Sequence, residues 1–447
     1  MTQLLRSLGF IDSVSLVIGS IIGAGIFLKA SVMSQAVGSP QLVMLAWIVA
    51  GVLSLAGAFA YAEIGGRFPE AGGEYVFLRE GYSPLLGFLY GWTRFWIGSP
   101  GSVAAYAVGA ATFLSAITSL EPFGGRTTVA VLFIGFFTLL NCLTVAFGGR
   151  IQAFLTVAKV FLILGLGLLI FYFSNGSFRA IVSTPPVDFP IIGGWKGFGA
   201  AVLAALWAYD GWNNLPMAAG EIKNPQRNVP LSIVTGTLLV MAIYLLLNAS
   251  YFYALPFNEV LTASSSKFPD APPVATRAAA TFLGNNVTKI LSLLFVVSAL
   301  SGMHGSILTG ARVPYAMAKD RLFFKGFASL HPATCVPVFS IMIQGTLSVV
   351  LALSGTFDQL TDYVIFSSWI FYAFVTASIF SLRRKKGTEK PSYETWGYPV
   401  LPALFLVGAV LLLFNTLFTS PRESSVGILF VLAGIPAYFY FKKMKAA

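Results

Sequence analysis

GSIIGAGIF, Gly19 to Phe27, places three glycines within seven residues inside the first apolar run of the chain. Glycine costs about 1 kcal/mol relative to alanine in a helix interior, so a cluster near the middle of a lipid-crossing helix needs a reason. Two readings are open from this stretch alone. Gly19 and Gly23 form a G-x-x-x-G spacing, which lets two helices pack closely. Alternatively, the helix is interrupted. Backbone groups freed by unwinding cost several kcal/mol each in hydrocarbon, so an interruption survives only where protein, water or a ligand supplies partners. It then suggests a binding site.

The surroundings are those of a membrane protein. Of 447 residues, 56% are apolar and only 10% charged, with a mean hydropathy of +0.80; soluble chains carry about one quarter charged residues. Apolar runs near the 20 or so residues that span a bilayer fall at 10–35, 42–65, 84–115, 127–147, 151–173, 198–220, 230–254, 286–315, 336–354, 360–381, 398–418 and 424–441, which predicts twelve transmembrane helices. No cleavable leader is expected, since the first run is too long for a signal core and has only Arg6 before it. With cytoplasmic termini, the inner segments hold most of the basic residues, including Arg383, Arg384, Lys385, Lys386, Lys390, Lys442, Lys443 and Lys445. The positive-inside rule therefore places both termini in the cytoplasm, in a multi-pass cell (inner) membrane protein. The net charge of +11 is accounted for by that topology and by anionic membrane lipid. No nucleic-acid partner is expected, because the basic residues form no single patch.

Catalytic and metal chemistry find little support. The two cysteines, Cys142 and Cys335, lie near opposite sides of the expected topology and have no metal-ligand spacing. No metal, cofactor or enzymatic activity is expected. His304 falls in the eighth span and His331 in an inner loop; both read as packed or interfacial imidazoles.

A second interruption weighs on the opening question. LWAYDGWNNLPMAAGEIKNP, Leu206 to Pro225, sets Asp210, Gly211, Asn213, Asn214 and Pro216 in the sixth span. An odd number of spans per repeat inverts the second copy, so breaks heading spans 1–5 and 6–10 fit an inverted repeat with a midplane substrate site. The expected units are 1–173 for the first five-helix repeat, 174–382 for the second and 383–447 for helices 11 and 12, all in one membrane domain.

Taken in order, GSIIGAGIF, AEIGGRFPEAGGEYVFLRE (Ala62 to Glu80), AYDGWNN with GEIKNPQRNVP (Ala208 to Pro230), and ARVPYAMAKDRLFF (Ala311 to Phe324) resemble an amino-acid permease of the amino acid-polyamine-organocation superfamily. Within it, the chain is most similar to bacterial relatives of the L-type amino acid transporter family. The resemblance covers essentially the whole chain. It implies an all-α, LeuT-like fold of 5+5 inverted helices, discontinuous in helices one and six, with two C-terminal helices, and transport by alternating access.

An amino-acid head group then has identifiable partners. Its carboxylate needs donors, and the N-terminal end of a half-helix offers free N–H groups and a positive dipole end; Ala24, Gly25 and Ser20 are the candidates. The family's motif implies that the α-ammonium meets carbonyls of Ile21, Trp207 and Asp210. Gly23 and Gly25 leave room for backbone to approach ligand. Trp207 resembles the family's aromatic that closes over substrate, and Asn213 matches a position beside it, although a structural role is equally open. Asp210 reads as a cap for the second half-helix, or else as a group facing a cationic ligand.

Lys159, in FLTVAKVFLIL, is deep in the fifth span, where a charge must face the bundle interior. The resemblance implies that it fills the region where sodium-coupled relatives hold their ion, with Tyr244 near both it and the substrate and Asn248 one turn on. Glu221, Arg67 and Arg312 recur in the family's inner-face motifs, as a cytoplasmic gate or as loop anchors. SAITSLEPFGGRTTV, Ser115 to Val129, lacks the cysteine through which animal members pair with a heavy chain, so no disulfide-linked heavy chain is expected. A short outer helix is expected within 269–283. The expected function is sodium-independent exchange of small or medium neutral L-amino acids, with proton-coupled symport (including cationic substrates) as the alternative and a non-transporting sensor as a third reading.

Overall fold

The computed structural model describes residues 4–446 apart from 24, 116, 184–188, 266, 269–270, 285–286, 355–356, 385–390 and 420. Helix starts follow local chemistry. Ser39 and Ser83 each precede a proline at the first helical position, and their hydroxyls accept from the amides of Leu42 (3.5 Å) and Leu86 (3.3 Å). Proline loses nothing there, because that N–H has no intrahelical partner. Thr144 caps Val145–Phe173 through the Phe147 amide. The helix before it ends at Asn141, earlier than the expected 147.

Eight helical stretches among the described residues are long and apolar enough to cross a membrane: Phe10–Val37, Pro40–Arg67, Pro84–Ser115, Val145–Phe173, Pro225–Ala254, Lys289–Lys319, Val400–Phe418 and Ser424–Lys445. The protein is a multi-pass, all-helical membrane protein. Three of the other expected spans are shorter or divided. Gly125–Asn141 and Val338–Ser354 have 17 residues each. The region 198–220 is divided into Gly194–Ala208 and a 3-10 segment, Trp212–Glu221. The region 360–381 lies within the 28-residue helix Phe357–Arg384. Val274–Leu283, in the expected outer segment, is a ten-residue helix.

The interior is built around two divided helices. Phe10–Ile21 packs on Pro225–Ala254 and Val145–Phe173, and Gly25–Val37 packs on Gly194–Ala208. Pro225–Ala254 also packs extensively along Pro40–Arg67, as Val287–Gly310 does along Ser99–Ser115. Val145–Phe173 turns one side away from this centre, with Phe154 and Phe161 more than 70% accessible, as suits side chains whose solvent is hydrocarbon.

Candidate functional site

The first helix stops at Ile21; Ile22 is extended (φ −72°, ψ 98°) and helix resumes at Gly25. Ala24, an expected carboxylate partner, lies outside the described residues. Unwinding frees four carbonyls, and each is occupied. The Lys159 ammonium donates to the carbonyls of Gly19 (3.0 Å) and Ile22 (2.7 Å). Tyr106 donates to Ser20 (3.2 Å), and Ser298 to Ile22 (3.2 Å). The Tyr244 hydroxyl lies 3.2 Å from the Ile21 carbonyl and 2.9 Å from that of Ala208, so one proton is shared between the two broken helices. Buried carbonyls demand such partners. Lys159, Tyr244 and Ser298 are fully buried.

The second break adjoins the first. Gly211 has φ 125°, and a Cβ there would lie 2.7 Å from the Ser20 carbonyl; only glycine fits both the conformation and the contact. At Gly25 a Cβ would lie 2.8 Å from the Trp207 ring and 2.9 Å from Ala208 Cβ, so the resumed first helix rests directly on the end of Gly194–Ala208. The Lys29 ammonium sits 4.4 Å from the centroid of the same tryptophan ring. Gly19 serves packing as well, since it faces Gln152 and Thr156. Both readings of the opening motif therefore hold, at different glycines. Gly23 faces the Tyr106 ring. Among the described residues the Ser20 hydroxyl is buried without a partner.

Asp210 meets the Gly211 backbone at the start of the second piece. Gly211 occupies the N-cap position, and among the described residues Asp210 makes no hydrogen bond to the amides of Trp212–Glu221; its Oδ1 is buried without a partner. The groups it faces are Arg94, Tyr372 and Glu74, members of a polar cluster that sequence reasoning missed. Arg94 opens a π-helical stretch, Arg94–Gly98, of the kind frequent at functional sites. Its Nη2 donates to Asn214 Oδ1 (2.7 Å). Asn213 Nδ2 and the Tyr90 hydroxyl donate to the two oxygens of Glu74 (2.9 and 2.7 Å). Burial pushes the Glu74 carboxyl up, against the opposing effects of Arg94 and of these donors. Asn213 is thus engaged structurally. The available signal was Arg94 itself, a charge inside an apolar run. Glu74 stood in a motif where nothing set it apart from neighbouring acids.

Glu221 stands at the far end of the 3-10 segment, about 18 Å from Trp212 at the rise of a 3-10 helix. Its carboxylate and the Arg312 guanidinium form a buried bidentate pair, both contacts 2.9 Å. Its carbonyl accepts from the amides of Ser7 (2.9 Å) and Leu8 (3.0 Å), and the Lys223 amide returns a bond to Leu8 (2.9 Å). Arg67 belongs elsewhere: it pairs with Glu63 (2.8 Å), which also holds Arg383 and the Thr395 amide. Arg67 is thus held within its own helix, and Glu63 ties that helix to Arg383. His304 is packed between Asn141 and the Gly148 carbonyl. Asn248 Nδ2 bonds the Tyr244 carbonyl (2.8 Å).

The structure therefore gathers Ser20, Ile21, Gly23, Gly25, Lys159, Trp207 and Tyr244 at the paired breaks, sets Asp210 and Asn213 in the adjoining Arg94 cluster, and leaves Glu221 apart. The amino acid permease family pattern matches residues 8–440. The chain is 32% identical to the serine/threonine exchanger SteT of Bacillus subtilis, over 99% of this chain and 98% of that protein. It is 30% identical to the human b(0,+)-type amino acid transporter 1, over 99% and 89%, and 27% identical to the human cystine/glutamate transporter, over 98% and 86%. These relatives are transporters, not enzymes. With motif, fold and relatives in agreement along nearly its whole length, the chain belongs to the amino acid permease family.

Proposed function

We propose that the chain is a sodium-independent exchanger of small or medium neutral L-amino acids, working by alternating access in the inner membrane with both termini cytoplasmic. The fold behind it is a LeuT-like bundle of twelve helices, with repeats over 1–173 and 174–382, helices one and six discontinuous, and a helix pair in 383–447. The observation that carries the reading is the Lys159 ammonium on the Gly19 and Ile22 carbonyls: a built-in cation already holds the oxygens that a bound metal cation would use. The α-carboxylate of substrate meets the amides at Ala24 and Gly25 and the Ser20 hydroxyl; the α-ammonium meets carbonyls of Ile21, Trp207 and Asp210. Trp207 closes over the site, and Glu221 with Arg312 closes the inner end. Arg94 faces Asp210 and offsets its charge, which supports neutral side chains. A serine/threonine exchanger among the relatives supports both exchange and small substrates. No disulfide-linked heavy chain is needed.

Purified protein in liposomes tests this. Radiolabelled serine or threonine should enter preloaded liposomes equally in sodium and choline buffers, and hardly enter empty ones. Sodium dependence sinks the reading. Accumulation in empty liposomes under an inward proton gradient, abolished by a protonophore, would replace it with proton-coupled symport.

A further inference from the structure

At the turn after Arg312–Lys319, a cavity of about 670 Å³ opens against the last helix, Pro421–Ala446. Three of its lining residues, Arg321, Lys325 and Lys445, are cations, and the other four, Phe323, Phe324, Phe441 and Met444, are apolar. The rings form one cluster, with Phe441 centroids 5.0 Å from Phe324 and 5.5 Å from Phe323. Phe324 and Met444 remain more than half exposed. None of the three cations pairs with a carboxylate among the described residues. The neighbouring acid, Asp320, is turned to Tyr75 and Arg79 instead.

Arg321 supplies an independent observation. It has φ 59°, in a turn where its amide bonds Ala318 and the Leu322 amide bonds Met317, both 3.0 Å. This helix ending favours glycine at that residue, because a Cβ is strained there. A cation at a helix C-terminus gains about 0.3–1 kcal/mol from the dipole, less than the roughly 1–2 kcal/mol that a Cβ costs in this conformation, so the turn alone does not account for an arginine there. The cavity also lies where two apolar spans, Lys289–Lys319 and Ser424–Lys445, come to an end, the depth at which lipid headgroups sit.

We propose that this cavity binds an anionic phospholipid. Arg321, Lys325 and Lys445 hold the phosphate, and the phenylalanines with Met444 cover the first acyl carbons. Clustered Lys and Arg at a span end suit anionic headgroups, and a free phosphate would leave the exposed ring and thioether uncovered. The proposal does not depend on what the protein transports.

The test uses the full chain in a neutral detergent, read by native mass spectrometry and thermal unfolding. Phosphatidylglycerol should be retained and raise the unfolding temperature; phosphatidylcholine and inorganic phosphate should do neither. Arg321→Gly keeps or eases the turn, yet should lower phosphatidylglycerol retention about fivefold, the effect of one cation near an anionic surface. Lys325→Gln, in a loop, should act similarly, and adding Lys445→Gln to both should abolish retention. Unchanged retention in these variants overturns the proposal. So does equal retention of phosphatidylcholine, equal stabilisation by phosphate alone, or a dimer lost in the triple variant, which would assign the groove to a second copy of the chain.

Discussion

Lys159 has two backbone carbonyls as its hydrogen-bond partners, one on either side of the Ser20–Ile21 step. Removing it strands the Gly19 carbonyl and leaves that of Ile22 to Ser298 alone, at about 1–3 kcal/mol for the buried group left unsatisfied. Lys159→Ala is therefore expected to lower exchange in liposomes by more than tenfold, a factor equivalent to about 1.4 kcal/mol; wild-type rates in the variant would remove the lysine from the mechanism. Arg94 and Asp210 give the second prediction. Asp210→Asn leaves one cation facing one carboxylate, Arg94 and Glu74, and should keep neutral amino-acid uptake within a few-fold. Arg94→Gln leaves two acids facing one another and removes the charged donor of Asn214, and should destabilise the protein by about 1.5–3 kcal/mol, the range for a hydrogen bond to a charged group. Thermal unfolding in detergent separates the two. A loss in Asp210→Asn confined to arginine or lysine uptake would instead identify a cationic-substrate group. At this scale the sequence was legible where a residue type is rare in lipid, as with Lys159. Tyr106 and Ser298 carried no such mark, because tyrosine and serine recur throughout the apolar runs and only the folded neighbourhood aims them at Ser20 and Ile22.

The divided helices are joined by contact rather than by chain. Gly25→Ala would drive a methyl into the Trp207 ring and Ala208, an overpacking cost of about 1–3 kcal/mol. It should slow exchange, and a Gly25→Ala, Trp207→Ala double variant should be less impaired than the sum of the singles, since residues in contact do not act additively. Additive losses in liposome assays would deny the contact its role. At the other end, Glu221→Gln leaves Arg312 buried without its bidentate partner. Cytoplasmic thiol reagents should then label an Ala219→Cys side chain faster than in the otherwise native protein, and Arg312→Lys should do the same because an ammonium cannot replace the two-pronged contact. Unaltered labelling would mean that the pair only anchors. The break positions were readable from Gly19, Gly23, Gly25, Gly211 and Pro216. The 3-10 form of Trp212–Glu221 was not. Nor was the π-helical turn at Arg94, since both depend on partners distant in sequence: Glu74 for Asn213, and Asn214 for Arg94.

For the whole molecule, hydropathy separates the helices that face lipid better than those at the centre. Val145–Phe173 exposes Phe154 and Phe161 and stood out in sequence, whereas the span that holds Asp210 is polar where it meets its neighbours. The carbonyls of Gly19, Ser20, Ile21 and Ile22 are held by side chains from four helices, those carrying Tyr106, Lys159, Tyr244 and Ser298. No swing of the first helix against all four keeps every bond, and each bond lost leaves a buried carbonyl in need of another donor. On the exchange reading, an amino acid's ammonium is the substitute donor that lets one clasp open. The vacant carrier lacks that substitute, so its return stroke is the slow leg of the cycle. Cargo on the far side then sets the pace, and the transporter behaves as a turnstile that advances only when each arm is occupied.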